Sequence, residues 1–111
     1  MEKIEKTLRY TKLFNLYGAL LSETQQSVLS DYFFMDLSIS EISENREISR
    51  AAVEDALSKG TKKLDYYEET LKLLDNRAKV STKVQELVDI DDKEERKRIL
   101  QEVLEEIDNG I

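Results

Sequence analysis

The 111-residue sequence has no cysteine, no histidine, no proline and no tryptophan, and its only glycines are Gly18, Gly60 and Gly110. Without cysteine there are no disulfides, thiolate metal sites or thiol nucleophiles. Without histidine the commonest general base and the commonest transition-metal ligand are missing. Chemistry would have to rest on carboxylates, lysines, tyrosines and hydroxyls. Sheets need turn residues between strands, and a chain this poor in glycine and proline is predicted to be all α. No apolar run approaches the roughly 18 residues of a membrane span. The N-terminus MEKIEKTLRY lacks the apolar core of a signal peptide, so the expectation is a cytoplasmic protein without membrane insertion. Positive charge is also short: 17 Lys and Arg against 24 Asp and Glu leave a formal charge of -7. That sign excludes a protein that simply coats nucleic acid, and any such contact must use a local basic patch.

What is present centres on Leu37 to Leu64, LSISEISENREISRAAVEDALSKGTKKL. Ser38 and Glu41 form an S-x-x-E capping box, in which the serine oxygen accepts one orphan backbone N–H and the glutamate reaches back to another. Ile39 and Ile42 give the short helix an apolar face, and Ile48 lies in the connection. Ser49 is the next cap, leaving only Asn45 to Ile48 to turn the chain. A cap, about two helical turns, a tight turn and a second cap make a helix-turn-helix.

Before this motif, residues 2 to about 20 are predicted to form a helix with Ile4, Leu8, Leu13, Leu16 and Leu20 inward, its charged front end projecting. Ser22 with Gln25 opens a second helix, Glu23 to about Met35, carrying Val28, Leu29, Tyr32 and Phe33 at helical spacing. After Ser49 no stop is visible until about Asn76. Val53, Leu57, Gly60, Leu64, Tyr67, Leu71 and Leu74 recur along that helix with the alternation of an a/d heptad. Two readings fit it: a long helix packed on its own domain, or the seam of a homodimer. Gly60 either admits a close helix approach or marks a bend. The remainder supplies two more helices. Val80, Val84, Leu87 and Val88 mark one; Asp91 with Glu94 caps the other, with Leu100, Val103, Leu104 and Ile107 as its stripe and Gly110 at its stop.

Leu21 to Leu64 resembles region 4 of bacterial sigma factors, where an L-x-x-x-Q/R-x-x-V/L-x-x-x-Y/F helix leads into LS-x-x-EI-x-x-x-x-x-IS-R-x-x-V and a K-x-L tail. With the flanking LFNLYGALLSETQQ, YFFMDLSISEIS and KKLDYYEETLKL, the stretch Leu13 to Leu74 is similar to the YlxM family. These are small bacterial helix-turn-helix proteins linked to the signal recognition particle pathway. The resemblance implies a regulator that binds nucleic acid, DNA before RNA, with signal recognition particle components as further partners. Ser49 and Arg50 match the start of the sigma-type recognition helix, and Lys59, Lys62 and Lys63 match its basic tail.

Each of these residues also has a plainer reading. The lysines fit a solvated helix face. Arg46 and Arg50 lie near a helix N-terminus that could hold an anion, or they pair with Glu47 and Glu54. Ala51 and Ala52 are too short to reach base edges, and Glu54 and Asp55 repel phosphates. Those four residues support a second hypothesis, an acidic adaptor that meets a protein of the signal recognition particle without touching DNA. Tyr10, Tyr17, Tyr32, Phe33 and Phe34 are expected in the core, with Tyr67 on the seam and Tyr66 exposed. Asp89 to Glu95, DIDDKEE, lacks the glycine and ligand spacing of an EF-hand and reads as a helix start. Arg96 to Arg98 reads as surface.

The expectation is an all-α protein: residues 1–76 hold the N-terminal helices and the sigma-region-4-like helix-turn-helix, and 77–111 form a helical C-terminal arm that packs on that domain or on a partner. It is non-enzymatic, with no catalytic residues, no metal and no cofactor. Its nucleic-acid contacts are Arg46, Ser49, Arg50, Lys59, Lys62 and Lys63.

Overall fold

The computed structural model describes residues 2–109, so Gly110, the expected stop of the last helix, lies outside the described residues. Helix α1 spans Glu2–Tyr17 and runs into a 3-10 turn, Gly18–Leu20. Then follow α2 (Glu23–Phe33), α3 (Ile39–Arg46), α4 (Arg50–Leu71), α5 (Leu73–Val88) and α6 (Lys93–Asp108). The described residues are all α, with no strand among them.

The caps lie where serine chemistry puts them. Ser22 Oγ accepts from the Gln25 N–H at 3.2 Å while Gln25 Oε1 accepts from the Ser22 N–H at 3.1 Å. Ser38 and Glu41 make the same reciprocal pair, both bonds at 3.1 Å. Each box satisfies donors that would otherwise be orphaned in the first turn. At α6 the cap is Asp92, one residue beyond the expected Asp91: its Oδ1 accepts from Glu94 N and Glu95 N. The Asp-x-x-Glu pattern occurs in two overlapping registers there, and only the second fits the helix start.

The ends of α2, α3 and α4 are made without glycine. Asp36, Glu47 and Lys72 adopt left-handed backbone conformations with φ of 55°, 56° and 55°. The break at Lys72 corrects the expectation of one helix to about Asn76. Neither glycine nor proline announces it, so the apolar spacing runs on through a residue where the backbone does not. The heptad pattern therefore spans two helices, and Leu71 is exposed at the end of α4.

The chain folds as two compact units, Met1–Thr70 and Leu71–Ile111. In the first, Tyr10, Leu13, Tyr17, Leu21, Val28, Leu29, Ile42, Val53, Ala56 and Leu64 are buried. Val28, Ile42, Val53 and Ala56 form a cluster under the helix-turn-helix, with Leu37, Ile39, Ile48 and Leu57 packed against it. Gly60 is buried against α2, where a Cβ would stand 2.7 Å from Leu29 Cδ1. Of the two roles open to this glycine, the close approach is the one observed. Val53, Gly60 and Leu64 of the heptad pattern are thus used inside the unit.

The inward face of α1 differs from the expected one. Leu13, Tyr10 and Tyr17 are buried as expected, whereas Ile4, Leu8 and Leu20 are exposed. Hydropathy alone favours leucine and isoleucine, but tyrosine buries its ring while its hydroxyl finds an acceptor. Tyr10 donates to Asp65 Oδ2 and Tyr17 to Glu68 Oε1, both at 2.8 Å, on α4.

In the second unit α5 and α6 form a hairpin joined by residues 89–92. Lys83 on α5 hydrogen-bonds Glu106 and lies 3.8 Å from Glu102, both on α6. Ile99 and Val103 are its buried apolar side chains.

Candidate nucleic-acid interface

The candidate interface begins at the turn between α3 and α4. Glu47 ends α3 in a left-handed conformation, φ 56° and ψ 42°, and its N–H donates to Ser43 O. The Ile48 N–H also reaches Ser43 O, at 3.2 Å. That is the six-to-one closure of a Schellman end. The Ser43 hydroxyl donates back to Ile48 O at 2.6 Å, which pins the turn from its inner side. Ser49 then caps α4, its Oγ accepting from the Ala52 N–H at 3.0 Å.

Once the turn is set, helix periodicity decides what α4 presents. Val53, Ala56, Gly60 and Leu64 are buried; at about 100° per residue, the opposite side carries Ala51, Asp55, Ser58, Lys59 and Lys62. All five are exposed. Arg50 and Lys63 lie on opposite flanks, about 140° apart around the axis and about 20 Å apart along it. The helix thus brings Lys59 and Lys62 to one outward face and separates Arg50 from Lys63.

The individual partners refine this arrangement. Lys59 forms an exposed pair with Asp55 at 3.3 Å, one turn away. Lys63 Nζ lies 3.4 Å from Gln25 Oε1 on α2, so it leans toward the domain body. Arg50 and Lys62 are exposed, with no ion pair recorded for them among the described residues. Ser49 is occupied as a cap. Arg46 lies on α2's Asp31 through two hydrogen bonds, Nε to Oδ2 at 2.8 Å and Nη2 to Oδ1 at 3.0 Å. The Asp31 carboxylate raises the Arg46 pKa, the hydrogen bonds contributing most. This partner is neither a bound anion nor Glu47.

Two further cations stand beside α4. A groove between α1 and α4 is lined by Lys3, Lys6, Tyr32, Leu57, Ser58 and Thr61. Lys3 and Lys6 therefore flank the Arg50 side of the helix, although more than forty positions separate them from it in sequence. No local pattern signals this, since it depends on how α1 lies on α4. That contact is fixed by the tyrosine bonds and by Arg9 Nη2 to Asp65 Oδ1 at 3.0 Å. Burial, reinforced by the hydrogen bond to Asp65, pushes the Tyr10 phenol pKa above its ordinary value.

The aromatic side chains do not make a stacking platform. Tyr10 and Tyr17 are buried, Tyr32 and Phe33 half-buried, and Phe34 is 44% exposed. Tyr66 is exposed and Tyr67 half-buried, its ring 5.9 Å from that of Tyr17. At the acidic segment, Asp92 serves as a helix cap. Among the described residues no group of three carboxylates is arranged to hold a metal ion. None of the helices there is long and apolar enough to cross a membrane.

A short capped helix, a Schellman turn and a second helix with one side buried and the other outward define a helix-turn-helix protein. Residues 4–107 match the family described as "Putative helix-turn-helix protein, YlxM / p13 like", and the chain belongs to that family. It is 39% identical to UPF0122 protein YlxM of Bacillus subtilis (strain 168) over 108 residues, covering 95% of this chain and 98% of that one. UPF0122 protein BH2485 of Halalkalibacterium halodurans is 38% identical over 105 residues, 95% and 96% of the two chains. UPF0122 protein BCAH187_A3894 of Bacillus cereus (strain AH187) is 36% identical over 110 residues, 95% and 99%.

Proposed function

We propose that this protein is a non-enzymatic, cytoplasmic nucleic-acid-binding regulator that engages duplex DNA through α4 and acts in the signal recognition particle pathway. The observation that carries the reading is the outward side of α4. Its first four turns hold Arg50, Lys59, Lys62 and Lys63 against Glu54 and Asp55, a local cationic excess on a chain of charge -7. Arg50 and the exposed start of α4 would meet the groove, while Lys59, Lys62 and Lys63 neutralise backbone phosphates further along. Arg46 and Ser49 contribute by holding the turn, and Lys3 and Lys6 add charge on the Arg50 flank. The link to the signal recognition particle rests on family resemblance.

The test is fluorescence anisotropy with duplex DNA and structured RNA across a salt series. Binding that weakens steeply with salt and vanishes on reversing Lys59, Lys62 and Lys63 to glutamate supports the reading. Persistence of binding at low salt in that triple variant defeats it.

Glu54 and Asp55 favour a second reading, a protein-interaction adaptor that keeps the helix-turn-helix as a scaffold. Both carboxylates are exposed on α4, where they oppose phosphates and suit a basic protein partner. Nuclease-resistant capture of a signal recognition particle protein, lost on removing residues 77–111 and accompanied by no nucleic-acid binding, would establish this alternative.

A further inference from the structure

We infer that the groove between α1 and α4 is a binding site for a single nucleoside phosphate. The inward stripe of α1 runs Lys3, Lys6, Tyr10, Leu13 and Tyr17, spaced 3, 4, 3 and 4, so the five side chains share one side of the helix. Tyr10, Leu13 and Tyr17 are buried. At Lys6 and Lys3 the same stripe turns cationic, and there the core opens into a groove of about 390 Å³. That is the size of a small-ligand pocket. Tyr32, Phe33, Ile39 and Leu57 give it an apolar wall. A lysine in core register over such a wall needs an anion, and the protein supplies none: neither Lys3 nor Lys6 has an ion pair among the described residues.

Three features of the groove specify the ligand. Lys3 and Lys6 lie one helical turn apart and suit a dianion, which a phosphate ester is near neutral pH. Tyr32 brings a half-buried ring that is held in place. Phe33 lies edge-on to it at 5.1 Å and 85°, and Phe33 is itself 5.4 Å from buried Tyr10. One braced ring cannot track a strand, but with Leu57 of α4 as a second apolar wall it suits one planar base. Glu54 is the third feature, an exposed carboxylate lining the same groove. It can accept from a base amino group or a ribose hydroxyl. The carboxylates also exclude other occupants. Asp36 and Glu41 line an adjoining hollow that shares Lys3, Thr7, Tyr32 and Ile39 with this one. With Glu54 they would repel a nucleic-acid strand or an acidic peptide laid along the groove. A fatty anion would offer Glu54 no donor. A nucleoside phosphate, anionic at one end and rich in donors at the other, satisfies both signs of charge. This inference does not depend on what the outward face of α4 binds.

The experiment is isothermal titration calorimetry of the full chain with ADP, GDP, CDP and UDP as probes. At least one should bind with a Kd of about 0.1 mM or tighter. Its nucleoside and inorganic pyrophosphate, each carrying half of the recognition, should bind at least about tenfold more weakly. The deciding arm divides the site. Lys3→Ala/Lys6→Ala, at two exposed positions, should weaken the nucleotide at least about tenfold and leave the nucleoside unchanged. Glu54→Ala should weaken nucleotide and nucleoside together and leave pyrophosphate unchanged. Circular dichroism confirms that each variant is folded. Failure of all four nucleotides to bind the folded chain overturns the proposal. Pyrophosphate binding as tightly as the nucleotide reduces the site to an anion patch, and octanoate binding more tightly makes it a site for apolar anions; either result overturns it. So does a nucleotide affinity indifferent to loss of both lysines.

Discussion

Arg46 closes a two-point clasp on Asp31, with Nε 2.8 Å from Oδ2 and Nη2 3.0 Å from Oδ1. The planar guanidinium fork matches the carboxylate, and the pair ties the last turn of α3 to α2. Asp31 is a buried side chain, with 12% of its surface exposed, so it depends on this partner. Arg46→Ala should lower the melting temperature, and Arg46→Lys should recover little, because an ammonium cannot reproduce the fork. Any loss of nucleic-acid affinity in these variants should follow the loss of folded protein. Full stability with selectively lost binding would instead place Arg46 among the contact residues.

Gly60 and Leu29 are coupled by space. Alanine at position 60 gains about 1 kcal/mol of helix propensity, but its Cβ would sit 2.7 Å from a methyl of a fully buried leucine. Overpacking of this kind costs about 1–3 kcal/mol. Gly60→Ala should therefore be destabilising by up to about 2 kcal/mol. Added to Leu29→Ala it should cost less than it does alone, because the obstructing methyls are gone. Denaturant unfolding of the two single variants and the double variant measures that coupling.

Glu47 holds a left-handed conformation in which a Cβ is unfavourable by roughly 1–2 kcal/mol. Glu47→Gly should relieve this strain and stabilise the turn, with a net gain of about 0.5–1 kcal/mol after the entropy glycine adds to the unfolded chain. A thermal melt reports the shift. A decrease would mean that the Glu47 side chain itself supports the turn.

Tyr10 links stability to alkaline pH. Burial and the bond to Asp65 raise its pKa above 10.0 in the folded state. Its contribution is therefore fully present below the unfolded value and lost as pH rises through the folded one. Stability should fall above about pH 10, and Tyr10→Phe should flatten that part of the profile while costing about 1 kcal/mol at neutral pH. Tyrosinate absorbance followed alongside unfolding tests the assignment.

The lysines of α4 should differ in their effect on binding. Lys62 is outward, while Lys59 shares Asp55 and Lys63 leans on Gln25. Lys62→Ala should reduce the salt slope of binding by about one phosphate contact, and Lys63→Ala by less. Equal slopes for the two variants would contradict this ranking.

Much of this architecture was determined by the sequence alone. The Ser22–Gln25 and Ser38–Glu41 boxes and the Ser49 cap rest on bonds between residues three apart, so the sequence contains the whole interaction. The scarcity of glycine and proline set the all-α class, and the order of motifs from Leu13 to Leu74 indicated the family. Tertiary structure decided which face each helix buries and which charges are committed to folding. Tyr10 and Tyr17 are in the core as expected, but Ile4 and Leu8 are not, because the face of α1 that turns inward is the one whose tyrosine hydroxyls reach Asp65 and Glu68, more than fifty residues away. Arg46 met Asp31, and Lys3 and Lys6 came beside α4, through packing that no local spacing encodes. The break at Lys72 is not legible in the sequence for a related reason: a left-handed residue without a glycine leaves no mark in composition. Local hydrogen bonds are written in short-range spacing, whereas burial and ion pairing depend on which distant surface arrives.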